Sequence, residues 1–213
     1  MNRSIWAVSY GIDAARVDAY IDWFHGVHIP EKLARPGYAW AAHYRSLKGE
    51  RHLAFFGAAD AGVFLSPTPG QLKSRQDALT REMVGLRAGA ATSIFAEVTR
   101  TPSRDKAGCA RGMEPAPFLR FMHYDVQGGG AEDAAAAWVV QHRFERIGAC
   151  PGAMRARLLL AVLGTGKYAL FEEFASEEAL RNAPAAFPEG AVHAAGSPFE
   201  GGRIWPRRHV ETE

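Results

Sequence analysis

Apolar positions along the chain switch between a period near two and a period near 3.6, and the switches come in the same order twice. Ile5 to Tyr10 is a short apolar and aromatic run that reads as a strand. Asp13 follows as an N-cap, and Val17, Tyr20, Ile21 and Phe24 recur at helical spacing. This helix is expected to end near Ile29-Pro30, because proline disfavours a helical residue before it. Pro36-Gly37 marks a turn, Tyr38 to Leu47 a strand, Lys48 to Arg51 a hairpin turn and His52 to Gly57 a third strand. Gln71 to Leu86 has the spacing of an amphipathic helix with Leu72, Leu79, Met83 and Leu86 as its buried stripe. Ala91 to Thr101 completes a β-α-β-β-α-β order, the ferredoxin-like arrangement.

The order then restarts. Strands are expected at Phe118 to Val126, Met154 to Leu163, Tyr168 to Phe174 and Arg203 to Val210. Asp133 to Ile147 is a helix, and only Glu177 to Arg181 suggests a second. Shifting the chain by 115 residues places Trp23 on Trp138, Pro36-Gly37 on Pro151-Gly152, Ala41 on Ala156 and Phe56 on Phe171. The pattern therefore predicts two units, residues 1–101 and 116–213, joined by a polar linker at 102–115. The units differ where chemistry would sit. The first reads His25-Gly-Val-His28-Ile-Pro-Glu31, and the second Val140-Gln-His-Arg143-Phe-Glu-Arg146.

Composition narrows the function classes. Hydrophobic residues make up 47% and charged residues 23%, as expected of a globular chain with a real core. A formal net charge of +2 with interspersed signs argues against nucleic acid or an anionic membrane as partner. The basic stretch Arg203 to His209 is short and reads as a solvated strand end. Two cysteines, Cys109 and Cys150, lie in no metal-binding or disulfide pattern. No apolar run suits a signal peptide or a membrane span, so a cytoplasmic location is expected. Gly128 to Gly130 lacks phosphate-loop spacing and reads as a plain loop.

Trp23 followed by His-x-x-His-Ile-Pro-Glu, Pro36-Gly37, the strand Trp40-Ala-Ala-His-Tyr-Arg45 and Leu53-Ala-Phe-Phe56 resembles the dimeric α/β-barrel superfamily, and within it the EthD-like proteins. The resemblance covers nearly all of the first unit; the second keeps Trp138, Pro151-Gly152 and Tyr168 to Glu172 but not the His-Ile-Pro segment. It implies an α+β fold in which two ferredoxin-like units with antiparallel sheets pack as a fused dimeric α/β barrel. The chain would then be a pseudo-dimeric monomer, or else a homodimer. The superfamily includes cofactor-free monooxygenases, cyclases, isomerases and haem-binding enzymes, so the fold alone does not give the reaction.

The resemblance puts a pocket between the first helix and the sheet and carries His28 over as general acid/base. His25 lies three residues earlier on the same helical face. On the strand Trp40 to Arg45, one face holds Trp40, Ala42 and Tyr44, and the other Ala41, His43 and Arg45. Comparison with Ala156, Leu158 and Leu160 favours the second face for the pocket or inter-repeat side. Tyr44 is a candidate proton donor, and Trp23, Trp40, His43, Arg45 and Phe56 are candidate substrate contacts; no residue set demands a metal. The leading reading is a cofactor-free enzyme that moves protons on a small apolar or aromatic compound. The alternatives are non-covalent haem binding through one of these histidines, since no CxxCH is present, and a non-catalytic binding or assembly module.

Overall fold

The computed structural model describes residues 3–101 and 116–206. The expected linker at 102–115, Cys109 and the end of the basic stretch lie outside the described residues. In the first half the elements are β1 (Ser4–Gly11), α1 (Val17–Trp23), a π-helical turn (Phe24–His28), α2 (Ile29–Leu33), β2 (Tyr38–Ser46), β3 (Arg51–Ala58), α3 (Gly62–Leu65), α4 (Pro69–Ser74), α5 (Ala78–Gly85) and β4 (Ala88–Arg100). The second half runs β5 (Phe118–Val126), α6 (Ala131–Trp138), a π-helical turn (Val139–Arg143), α7 (Phe144–Ala149), β6 (Ala153–Leu163), β7 (Tyr168–Phe174), α8 (Glu177–Asn182), β8 (Ala191–His193) and β9 (Phe199–Trp205).

Each half forms an antiparallel sheet, ordered β4-β1-β3-β2 and β9-β5-β7-β6. The sheets join at both edges, β2 to β9 and β4 to β6, so eight strands close into a barrel. Closure leaves these strands without a free edge. The short β8 is appended to the end of β5. Side-chain alternation sorts the apolar residues into three cores. Ile5, Ala7, Trp40, Tyr44, Phe55, Phe95, Phe121 and Phe171 fill the barrel. Trp6, Val8, Tyr10, Ala41, Ala54 and Phe56 face the helices of the first half. Tyr124, Ala156, Leu158 and Leu170 do the same in the second. The fold is α+β, as the element order and the resemblance implied.

Several local expectations need correction. The first helix does not stop at Pro30. The turn Phe24–His28 widens to the π form, with Ile29 N–H bonded to the Phe24 carbonyl, and a new α turn starts with Pro30 near its beginning. Proline is tolerated at a first turn, where its missing N–H removes no bond. The second half makes the same π turn 115 residues later, at Val139–Arg143, without a proline. Gly37 and Gly152 also occupy equivalent turns, with φ of +85° and +76° that favour glycine.

The helix expected over 71–86 is two helices. Thr68 caps the first through a capping box, and Asp77 accepts from Thr80 N–H to start the second. That restart resets the helical phase, so Leu72 and Met83 are buried while Leu79 is 52% exposed. The closing strand begins at Phe199 rather than Arg203. The match of Phe56 with Phe171 does not survive folding: Phe56 faces the helices and Phe171 the barrel. Ala41 pairs with Phe56, but Ala156 pairs with Glu172, so the second hairpin carries one more residue and slips the register.

Candidate functional site

A cavity of about 400 Å³ lies between the first-half sheet and its helices. Trp6 and Val8 of β1, Ala54 and Phe56 of β3 and Thr92 of β4 form its floor. Phe24, His28, Lys32, Leu72, Lys73, Gln76, Val84 and Arg87 form walls and rim. A second hollow of about 490 Å³ shares His28, Lys32, Leu72 and Gln76 with it and adds Glu31, Arg35, Arg75 and Asp77. The apolar space thus opens beside a polar vestibule, with His28 and Lys32 bordering both.

The π turn delivers these two residues. His28 is its last residue and Lys32 follows one helical turn later, so both project to the same side. His28 is 6% exposed, its ring centroid 4.8 Å from Trp23 and 5.4 Å from Phe24. Its Nδ1 is buried with no hydrogen-bond partner among the described residues. Burial, reinforced by Lys32, Arg87 and Arg35, pulls the His28 pKa down to about 3. The imidazole is therefore neutral at physiological pH, with one of its two nitrogens bare. Lys32 is 5% exposed, with Nζ 4.9 Å from the Trp6 ring centroid. Burial and the neighbouring Arg35 and Arg87 lower its pKa to about 8.

Behind the cavity wall lies a cluster of histidines. His43 Nδ1 is 2.8 Å from His25 Nε2, and its Nε2 is 3.1 Å from both Tyr10 Oη and His52 Nδ1. His43 is fully buried, and burial, with His52 and His25 alongside, holds its pKa well below the usual value. Neutral imidazoles in contact must each present one N–H and one bare nitrogen, so the tautomers of this chain are coupled. Arg87 caps it: its Cζ lies 4.6 Å from the Tyr10 ring centroid and its Nε donates to Tyr20 Oη at 2.7 Å. Among the described residues, no set of three or more His, Cys, Asp or Glu side chains is placed to hold a metal ion.

The placement of the sequence candidates is uneven. His28 and Phe56 line the cavity. His25 and His43 belong to the hydrogen-bonded cluster behind it, and Trp23 packs on His28. Ala41 and His43 do face the helices, but Arg45 is exposed at the strand end. Tyr44 and Trp40 stand apart, because alternation points both into the barrel; the Tyr44 hydroxyl donates to the Ala116 carbonyl at 2.6 Å. Lys32, Lys73, Arg87 and His52 were missed. Lys32 was legible as the residue four beyond His28 on a continuing helix, an inference blocked by the expected stop at Pro30. Arg87 lies after a helix whose phase was misread. His123 Nε2–H donates to the Gly166 carbonyl 3.0 Å away in the second half, and His142 is exposed.

The second half places different residues at the equivalent positions. Arg143 ends its π turn where His28 ends the first, and Glu172 faces the helices where Phe56 does. Arg143 binds Glu172 bidentately at 2.6 and 2.8 Å and donates to the Pro184 carbonyl at 2.7 Å. Arg120 reaches the same carboxylate at 3.2 Å and also pairs with Glu200. The space open in the first half is closed here by a satisfied ionic network.

No family model and no curated protein matches the chain. Solved structures do, at low identity. An anthrone oxidase-like protein aligns with a TM-score of 0.67 and 12% identity over 95% of this chain and 91% of its own. A candidate monooxygenase from Fusobacterium nucleatum aligns with a TM-score of 0.61 and 10% identity over 95% and 93%. A candidate chlorite dismutase aligns with a TM-score of 0.58 and 12% identity over 96% of each chain. These likenesses concern the fold alone: an α+β barrel whose eight antiparallel strands come from one polypeptide.

Proposed function

We propose that this protein is an enzyme that removes a proton from a small, largely apolar aromatic compound, with His28 as the base. The observation that carries the reading is the contrast between the two π turns. One ends in a neutral histidine with an unpartnered nitrogen beside an open cavity, the other in an arginine whose charge is fully paired. An enclosed cleft with aromatic walls and a few convergent polar groups is the usual form of a small-molecule site. Trp6, Phe24 and Phe56 offer a planar substrate its ring contacts. A carbon or phenol acid bound there would lose its proton to the imidazole, and Lys32 would stabilise the oxyanion that forms. His25 and His43 are positioning residues in this reading: their hydrogen-bonded chain, through Tyr10 and Arg87, fixes the wall behind Phe24. An anthrone oxidase-like protein and a candidate monooxygenase are among the structurally similar proteins.

Haem binding gains no support from the geometry. His43 is engaged through both ring nitrogens, and His25, His43 and His52 lie outside the cavity lining. His28 does line it, but its ring is sandwiched close to Trp23 and Phe24 rather than standing over an open face. Because barrel closure is completed by two halves of one chain, we take the working unit to be a pseudo-dimeric monomer. The test is deuterium exchange into the methylene of anthrone, followed by NMR. His28→Ala should slow the protein-catalysed exchange by roughly 10²–10⁴. Exchange at the same rate in the variant, or none above buffer with the native protein, counts against the proposal.

A further inference from the structure

Three cationic side chains, Lys32, Lys73 and Arg87, border the cavity, and no carboxylate lines it. This is unusual for an apolar recess, because a buried cation is costly unless paired. Elsewhere Arg120, Arg143 and Arg157 are each buried and each within ion-pair distance of Glu172 or Glu173, although Arg157 also keeps a buried Nε without a hydrogen-bond partner among the described residues. Lys32 is nearly as buried along its stem, and its Nζ lies over the face of Trp6 with no salt bridge among the described residues. Arg87 has one nitrogen on Tyr20, while its Nη2 is buried without a partner among the described residues. The acidic groups nearest, Glu31 and Asp77, line the vestibule and not the cavity, and Asp77 is committed to capping Thr80.

We infer that the cavity holds its ligand best in anionic form: a planar aromatic oxyanion, carboxylate or phenolate, whether bound as such or formed at the site, whose ring packs on Trp6, Phe24 and Phe56 and whose charge faces Lys32 and Arg87. This rests on the site proposed above and adds the substrate class. The missing charge would come from the ligand, so binding would repair an electrostatic deficit that folding leaves open. A neutral aromatic would gain the ring contacts but leave the buried Arg87 Nη2 without an acceptor and Lys32 without a counter-charge, which is the physical basis for discrimination. Arg87 also ties the ligand to the histidine cluster, since the same guanidinium stacks on Tyr10.

Isothermal titration tests this with three probes of one shape: 2-naphthoate, neutral 2-naphthamide and cationic 2-naphthylmethylammonium. Naphthoate should bind at least about tenfold tighter than the amide, the size expected of a hydrogen bond to a charged group, and the ammonium should bind weakest. Lys32→Met should abolish the preference for the acid, and Lys32→Arg should retain most of it. Unchanged circular dichroism would show that Lys32→Met still folds. A separate arm uses 4-nitrophenol, whose absorbance reports ionisation. A lowered apparent pKa on binding identifies a phenolate site, and a response to naphthoate alone identifies a carboxylate site. Equal affinity for acid and amide, no saturable binding of any probe, or an undiminished preference in Lys32→Met overturns the inference. His28→Gln separates it from the reaction proposal: the variant should keep naphthoate binding while losing exchange activity. Loss of the anion preference with His28-dependent exchange intact removes only the ligand class.

Discussion

Holding His28 neutral has a measurable cost in acid. Burial and three nearby cations lower its pKa from 6.5 to about 3. In the unfolded chain the imidazole takes up a proton as pH falls below 6.5, and in the folded chain it does not until about 3. The unfolded state therefore binds more protons over that window, so stability is full above 6.5 and is lost progressively as pH falls towards 3. At about pH 5 the unfolded imidazole is roughly 1.5 units below its midpoint, and at about 1.36 kcal/mol per unit the loss is about 2 kcal/mol. His43 and His52, also shifted down by burial, add to the total slope, so the native protein alone cannot assign it. Comparison with His28→Gln can, since glutamine keeps a polar side chain of similar size that does not titrate. Urea unfolding at about pH 7.5 and about pH 5 should show native protein losing about 2 kcal/mol more than the variant across that interval. Equal losses in the two proteins would refute the claim that burial holds this histidine neutral.

Other substitutions test other parts of the argument. Arg143→Leu leaves the Glu172 carboxylate buried with only Arg120, and should cost about 3–5 kcal/mol in urea unfolding; a loss under about 1 kcal/mol would mean that the network is not what closes the second half. Tyr44→Phe should remove one buried hydrogen bond worth about 1 kcal/mol while leaving anthrone exchange unchanged; a large loss of rate without loss of stability would return Tyr44 to the site. Gly57→Ala would put a methyl 2.0 Å from Trp40 Cε2, so the barrel must shift; overpacking of at least about 1–3 kcal/mol and a changed near-ultraviolet spectrum are expected, and a native-like melt would show that Trp40 is looser than its packing indicates.

Much of this protein is already written in its periodicities. Alternation in β1, β2 and β3 sets which residues share a face, and the strands Phe118–Val126 and Tyr168–Phe174 have the ends their apolar runs predict. The repeated Trp and Pro-Gly positions are visible in the sequence because a turn that needs glycine depends on contacts within a few residues. Where a tertiary contact competes with a local preference, the sequence misleads. Pro30 should end a helix, but the π turn before it removes the conflict, and only then does Lys32 land beside His28. Phe56 and Phe171 match in sequence yet face opposite ways, because one extra residue in a hairpin inverts every side chain after it. The site itself belongs to the tertiary structure. His28, Lys32, Lys73 and Arg87 come from three segments that no local pattern links, and whether a cation ends up paired is decided by what packs across from it. Residue types fixed that this chain would build a two-part barrel with a polar first half. Only the packing of that half left a histidine neutral and a lysine unpaired around an empty volume, since burial and charge pairing are properties of neighbours in space.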